Sequence, residues 1–91
     1  MPIKLVINGD YGGWGLVSRE CNDLIQRLPR LQDDYPRINP ELIAYVEAHP
    51  DKCGDLKVIT LPSDTTDWEV LETDGNESVI YVLDGQIHWA S

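Results

Sequence analysis

The sequence predicts a small α+β domain in which two helices lie on one face of a mostly antiparallel sheet, in the order β-α-α-β-β-β-β. Three observations support this prediction. Apolar residues follow a helical period between positions 18 and 50 and a period of two from position 56 onward. Asp-Gly pairs separate the C-terminal apolar runs, as in β-hairpins. The 91 residues suffice for one core, so residues 1–91 are expected to form a single domain.

The first predicted strand runs from Ile3 to Asn8. Its odd positions are apolar, and because Val6 is apolar as well, we expect both faces of the strand to be covered. The first helix is predicted from the N-cap Ser18 to Pro29, which cannot continue a helix. Its apolar residues recur at helical spacing on one face: Cys21, Leu24, Ile25 and Leu28.

The second helix has a strong start signal, because Asn39 is an N-cap residue, Pro40 suits the first helical position and Glu41 favours the first turn. Pro50 ends it. The expected buried side comprises Leu42, Tyr45, Val46 and His49. The remaining strands are predicted at Leu56 to Leu61, Trp68 to Thr73, Ser78 to Leu83 and Gln86 to Ala90, with turns at residues 74–77 and 84–85.

The chain is acidic, with 7 basic and 16 acidic residues and a net charge of -9. Nucleic acids and anionic membranes are therefore disfavoured as partners, because Lys and Arg clusters hold their phosphates. Residues 56–91 carry one basic and seven acidic side chains. The acidic side chains of this segment are interpreted either as an ordinary solvated surface or as a contact surface for a basic patch on another protein.

Two cysteines, Cys21 and Cys53, are expected to remain reduced, because Cys21 falls on the apolar stripe of the first helix. The apolar run at the N-terminus is too short for a signal peptide. No segment of the sequence approaches the length of about 18 apolar residues that indicates a membrane span. These observations predict a cytoplasmic protein.

The stretch from Asn8 to Gly15 holds four of the seven glycines, which indicates a shaped loop. Phosphate binding is disfavoured, because the loop lacks the third glycine of a dinucleotide-binding turn and the Gly-Lys-Ser/Thr of a P-loop. Two interpretations remain. In one, Tyr11 or Trp14 folds back on the core; in the other, the rings form an exposed contact surface, with Gly12 and Gly13 between them.

Candidate catalytic and metal-binding residues carry little support. His49 and Cys53 are four positions apart, which matches no standard spacing of zinc ligands. Neither Cys53 nor Ser18 stands in a nucleophile elbow. We therefore predict no catalytic residues, no metal site and no cofactor.

The segment from Asn8 to Ser18 resembles an Asn-x-x-(Tyr/Phe)-Gly-Gly-(Phe/Trp)-x-Leu-Ser motif of a family of small, largely uncharacterised phage and prophage proteins, with one extra residue between Leu16 and Ser18. The helix start at residues 39–43, the strand and proline at residues 56–62, and Trp68, Asp74-Gly75 and Trp89 match later parts of the same pattern. These matches are spread between residues 8 and 89 of the chain. The resemblance implies an accessory role in a phage, such as binding and blocking a host protein.

The leading prediction is a non-enzymatic phage or prophage protein that binds a host or phage protein, as a monomer or weak homodimer. The predicted partner-binding residues are Tyr11, Gly12, Gly13, Trp14, Asp67, Glu69 and Glu72. The first alternative is a small-ligand-binding protein or enzyme with a pocket beside the glycine loop. The second is a structural protein that associates with itself through an exposed edge strand, Gln86 to Ala90.

Overall fold

The computed structural model describes residues 2–9, 14, 17–29 and 36–91. Within them lie five strands and two α-helices, which confirm the predicted class and element order. The strands are β1 (Ile3–Asn8), β2 (Leu56–Leu61), β3 (Asp67–Thr73), β4 (Asn76–Leu83) and β5 (Gln86–Ala90). The helices are α1 (Arg19–Arg27) and α2 (Pro40–Ala48), and a short 3-10 turn, Pro50–Lys52, follows α2.

The strands form two antiparallel sheets, β1-β2 and β3-β4-β5. The expectation of a single sheet is therefore wrong, because β1 pairs with β2 apart from the three C-terminal strands. The reason lies at the edge of β1 opposite β2, where the Arg37 carbonyl accepts a hydrogen bond from the Val6 N–H at 2.8 Å. The Glu77 carboxylate accepts one from the Asn8 N–H at the same edge, also at 2.8 Å. These backbone groups are thus satisfied without another strand.

The β1-β2 sheet is the middle layer of the molecule. Val6 and Leu56 belong to one buried cluster with α1 and α2, whereas Leu5, Ile7 and Leu61 belong to a second cluster with Val79 of β4. Because successive residues of a strand point to opposite faces, β1 contributes to both clusters. The prediction that both faces of β1 are covered is confirmed.

Both helices begin at the predicted caps. The Ser18 hydroxyl accepts a hydrogen bond from the Cys21 N–H at 3.2 Å, and the Asn39 side chain accepts one from the Glu41 N–H at 2.9 Å. The buried face of α2 differs from the prediction, because Ile43 is buried and His49 is exposed. His49 lies beyond the last helical turn, where the backbone has left helical geometry and the helical spacing no longer sets its direction.

Two tight turns connect β3, β4 and β5. Asp74 and Gly75 both have positive φ, at 52° and 90°, and so do Asp84 and Gly85, at 53° and 76°. Positive φ at both central residues is what a two-residue type I′ hairpin turn requires. The first turn is thus shorter than the predicted residues 74–77, and β4 begins two residues before the predicted Ser78.

Candidate interaction surface

The side of the β3-β4-β5 sheet that faces away from β1 and β2 is named here the outer face. The registers align residues across this face in two rows, one of Asp67, Val82 and Ile87 and one of Glu69, Ile80 and Trp89. Leu71 and Ser78 pair beside them. Strand alternation therefore places acidic side chains on β3 next to apolar side chains on β4 and β5.

The apolar part of the outer face is open to solvent. Ile87 is 69% exposed and Trp89 is 66% exposed. Leu71, Ile80 and Val82 are half-buried beside them. A depression of about 80 Å³ on this sheet is lined by residues that include Glu69, Ile80 and Ile87. A continuous exposed apolar patch with a polar border is typical of a site where another protein binds.

The border of the outer face is negatively charged. Asp67 and Glu69 are exposed on β3, and the chain has no Lys or Arg after Lys57. One Asp67 carboxylate oxygen accepts a hydrogen bond from the Trp68 N–H at 2.9 Å, which holds the carboxylate at the edge of the sheet. The arrangement is complementary to a protein surface with apolar residues bordered by Lys or Arg.

Glu72, the third predicted acidic contact, is not brought together with Asp67 and Glu69. It occupies an even-numbered position of β3, so it lies on the opposite side of the sheet from Glu69. Its carboxylate accepts a hydrogen bond from the Gly75 N–H at 2.6 Å. Glu72 therefore stabilises the turn between β3 and β4.

Trp14 lies in the core, which excludes the interpretation of its ring as an exposed contact. Its side chain is 7% exposed, and its indole N–H donates to Glu77 Oε1 at 2.9 Å. The Arg37 guanidinium lies 5.4 Å from the centroid of the ring, in a cation–π position. The structure thus favours the folded-back interpretation for Trp14. Tyr11, Gly12 and Gly13 lie outside the described residues.

Glu77 and Arg37 form a buried ion pair that the sequence interpretation missed. Arg37 Nη2 lies 3.1 Å from Glu77 Oε2, and the two side chains are 5% and 7% exposed. Arg37 Nη1 also donates to the Val6 carbonyl at 3.2 Å. The sequence contained one signal for this ion pair. Glu77 lies two positions before Val79 in the same strand, so both side chains point to the same face of the sheet. A carboxylate that points into the core needs a cationic partner.

The two cysteines are free, as predicted; both are buried, and their Sγ atoms lie 3.6 Å apart. Burial, and after it the neighbouring Cys21 and Asp51, together raise the pKa of the Cys53 thiol to about 12. Burial also raises the pKa of Cys21. Both groups are therefore thiols at neutral pH, and the thiolate needed for nucleophilic attack is scarce.

A second depression, of about 560 Å³, lies between α1 and α2. Its lining mixes charges of both signs, and Arg27 crosses it to form an ion pair with Glu41 at 2.9 Å. In the described part of the chain, no three His, Cys, Asp or Glu residues come close enough together to hold a metal ion. The pocket predicted beside Gly12 and Gly13 falls outside the described residues.

No protein family, curated protein or solved structure matches this chain. None of the described helices is long and apolar enough to cross a membrane.

Proposed function

We propose that this protein is a non-enzymatic binding protein that holds another protein on its outer face. The observation that carries the proposal is the exposure of Ile87 and Trp89, at 69% and 66%, in one continuous patch with Ile80 and Val82. A tryptophan in such a patch contributes a large contact area and loses little conformational entropy on binding. The patch thus provides an aromatic anchor with apolar surroundings.

The partner is a protein surface with apolar residues bordered by Lys or Arg. Asp67 and Glu69 stand beside the apolar patch, and the chain carries a net charge of -9. Charges at the border of an interface mainly accelerate association and select the partner, whereas the apolar centre supplies most of the affinity. Binding is therefore expected to weaken as salt is added.

The biological setting is part of the proposal. The resemblance of residues 8–18 and 39–43 to small phage and prophage proteins supports an accessory role in a phage, with a host or phage protein as the partner. An acidic surface of this kind can block a basic patch that otherwise holds nucleic acid. The free Cys21 and Cys53, only 3.6 Å apart, support a reducing, cytoplasmic compartment.

The test is capture of a partner from host lysate by the wild type and by Ile87→Ser/Trp89→Ser, followed by calorimetry with the purified captured protein. The double variant is expected to bind at least about tenfold more weakly, because it loses the apolar centre of the interface. Asp67→Asn/Glu69→Gln is expected to bind a few-fold more weakly and to show a smaller dependence on salt. The captured protein is expected to carry Lys or Arg around its contact site.

Ile38→Ser is the matched control, because Ile38 is 46% exposed and lies before α2, away from the outer face. It should bind as tightly as the wild type. Circular dichroism should show that each variant is folded. Equal binding by the wild type and the folded Ile87→Ser/Trp89→Ser variant would refute the outer face as the site.

A further inference from the structure

Strand β5 stands at an edge of its sheet, and within the described residues it pairs on one side only, with β4. The two-residue turn and the register place Leu83 opposite Gln86 and Tyr81 opposite His88. In such a hairpin these are the pairs that exchange hydrogen bonds. The N–H and C=O groups of the alternate residues, Ile87 and Trp89, consequently point to the open side of β5.

In the part of the chain that the structure describes, no residue protects the open side of β5 in the way seen at two other strands. Arg37 and Glu77 occupy the corresponding edge of β1, and the Asp67 carboxylate accepts the Trp68 N–H at the edge of β3. The sequence of β5 is Gln-Ile-His-Trp-Ala, which contains no Asp, Glu, Lys, Arg or Pro. Charged residues and prolines are the usual means by which an edge strand is kept from pairing.

We propose that β5 pairs antiparallel with β5 of a second copy of this chain, about a twofold axis that passes beside His88. This register pairs all five residues of the strand and places Ile87 of one copy opposite Trp89 of the other. The twofold axis generates two such Ile87–Trp89 pairs. Each is a hydrogen-bonded pair, and each brings together exposed apolar side chains on the outer face. The interface is self-complementary, as a twofold dimer requires.

The dimer joins two three-stranded sheets into one six-stranded sheet and doubles the outer face. The dimer uses the backbone edge of β5, whereas a partner protein binds the outer face, so the dimer does not depend on partner binding. Two five-residue strands bury less than the area of about 1,200 Å² that stable interfaces exceed, so the association is weak. The charge of -9 on each copy opposes it, and added salt is expected to strengthen it.

The first test is sedimentation equilibrium of the wild type over a range of concentrations at low and high salt. A reversible dimer, more populated at high salt, is the expected result. Ile87→Pro removes an N–H that β4 does not use, and it should shift the protein to monomer while circular dichroism shows a folded domain. A wild type that stays monomeric throughout, or a folded Ile87→Pro variant that dimerises as well as the wild type, would overturn the proposal.

The second test fixes the register by cross-linking. In the proposed pairing residue 88 faces its own counterpart in a non-hydrogen-bonded pair, where Cβ atoms are close enough for a disulfide, whereas residue 86 faces residue 90. Oxidation with diamide removes two hydrogens from two thiols and forms the disulfide. His88→Cys should give a cross-linked dimer through residue 88, and the control Gln86→Cys should not. Equal cross-linking of both variants would indicate random collision and refute this register.

Discussion

At the residue scale, Glu77 holds together parts of the chain that are far apart in sequence. Its Oε1 accepts hydrogen bonds from the Asn8 N–H, the Trp14 indole at 2.9 Å and Arg37 Nη1 at 3.3 Å. The side chain is buried, so these bonds replace its contacts with water. A neutral side chain of the same shape cannot compensate the buried charge of Arg37.

Glu77→Gln is therefore expected to lower the free energy of unfolding by about 3–5 kcal/mol, because it leaves a buried guanidinium without its counter-ion. Urea denaturation of the wild type and the variant measures this loss. The matched control is Glu69→Gln, an exposed position on the neighbouring strand, with an expected change within about 0.5 kcal/mol. Similar losses for the two variants would contradict a stabilising role of the Glu77 charge.

The buried thiols make stability depend on pH at the alkaline end. The pKa of Cys53 is raised from 9.0 to about 12, so the folded state holds its proton where the unfolded chain releases it. The contribution of the two protonated thiols to the free energy of unfolding is fully present below pH 9 and is lost progressively as the pH rises toward 12. This free energy falls by at most about 1.4 kcal/mol per pH unit for each thiol.

Urea denaturation at increasing pH measures this loss of stability. The double variant Cys21→Ala/Cys53→Ala serves as the reference, because it retains the titrating Lys and Tyr residues. The difference between the two stability curves should shrink above pH 9. A difference that stays constant across this range would show that the thiols titrate normally in the folded protein.

At the element scale, the two hairpin turns depend on backbone conformations that few residues adopt. Gly85 has a φ of 76°, and a Cβ at this position would meet no atom within 4 Å. Gly85→Ala should therefore lower stability by about 1 kcal/mol through backbone strain alone. Asp84→Asn is the control with an expected neutral effect, because Asn tolerates the positive φ at that position. Thermal unfolding distinguishes the two, and equal melting temperatures would contradict the turn assignment.

The sequence predicted the elements well where a local signal marks their ends. Asn39-Pro40 and Ser18 placed the two helix starts, and the Asp84-Gly85 pair placed the turn before β5. The division into two sheets was not predictable in this way. It depends on Arg37, whose neighbours in sequence indicate only a polar connection, and on its long-range contact with Glu77.

The candidate site could be predicted only in part, because local sequence signals do not show how distant parts of the chain pack together. The sequence predicted outward-pointing acidic side chains at Asp67, Glu69 and Glu72, and the structure places Asp67 and Glu69 together on the outer face but Glu72 on the opposite side of the sheet. The sequence could not show whether a further layer covers Ile87 and Trp89, because that depends on how the two sheets pack. Nor could it show that the Trp14 ring turns inward, since the residue that holds its indole N–H lies 63 positions away.

At the scale of the whole molecule, the net charge of -9 dominates the electrostatics. The ion pairs Lys4–Glu47 and Arg27–Glu41 are partly or largely exposed, so each contributes little to stability. Repulsion among the carboxylates is the larger effect, and salt screens it. We therefore expect the free energy of unfolding to rise between low and moderate salt.

Chemical denaturation with urea, which is uncharged, measures this dependence without adding ions. The wild type should become more resistant to urea as sodium chloride is added. Samples should be dilute enough to stay monomeric, since self-association would also raise the apparent stability. A decrease in stability with added salt would show that the ion pairs, not the repulsion, determine the electrostatic energy.

The cluster around Glu77 also has a consequence for the newly made chain. Asn8 lies 69 residues before Glu77 and Arg37 lies 40 residues before it, so the edge of β1 cannot be closed by this carboxylate until β4 has left the ribosome. Until then the paired β1 and β2 expose backbone groups that a neighbouring nascent chain can bind. A segment that is synthesised later thus protects an earlier segment from aggregation.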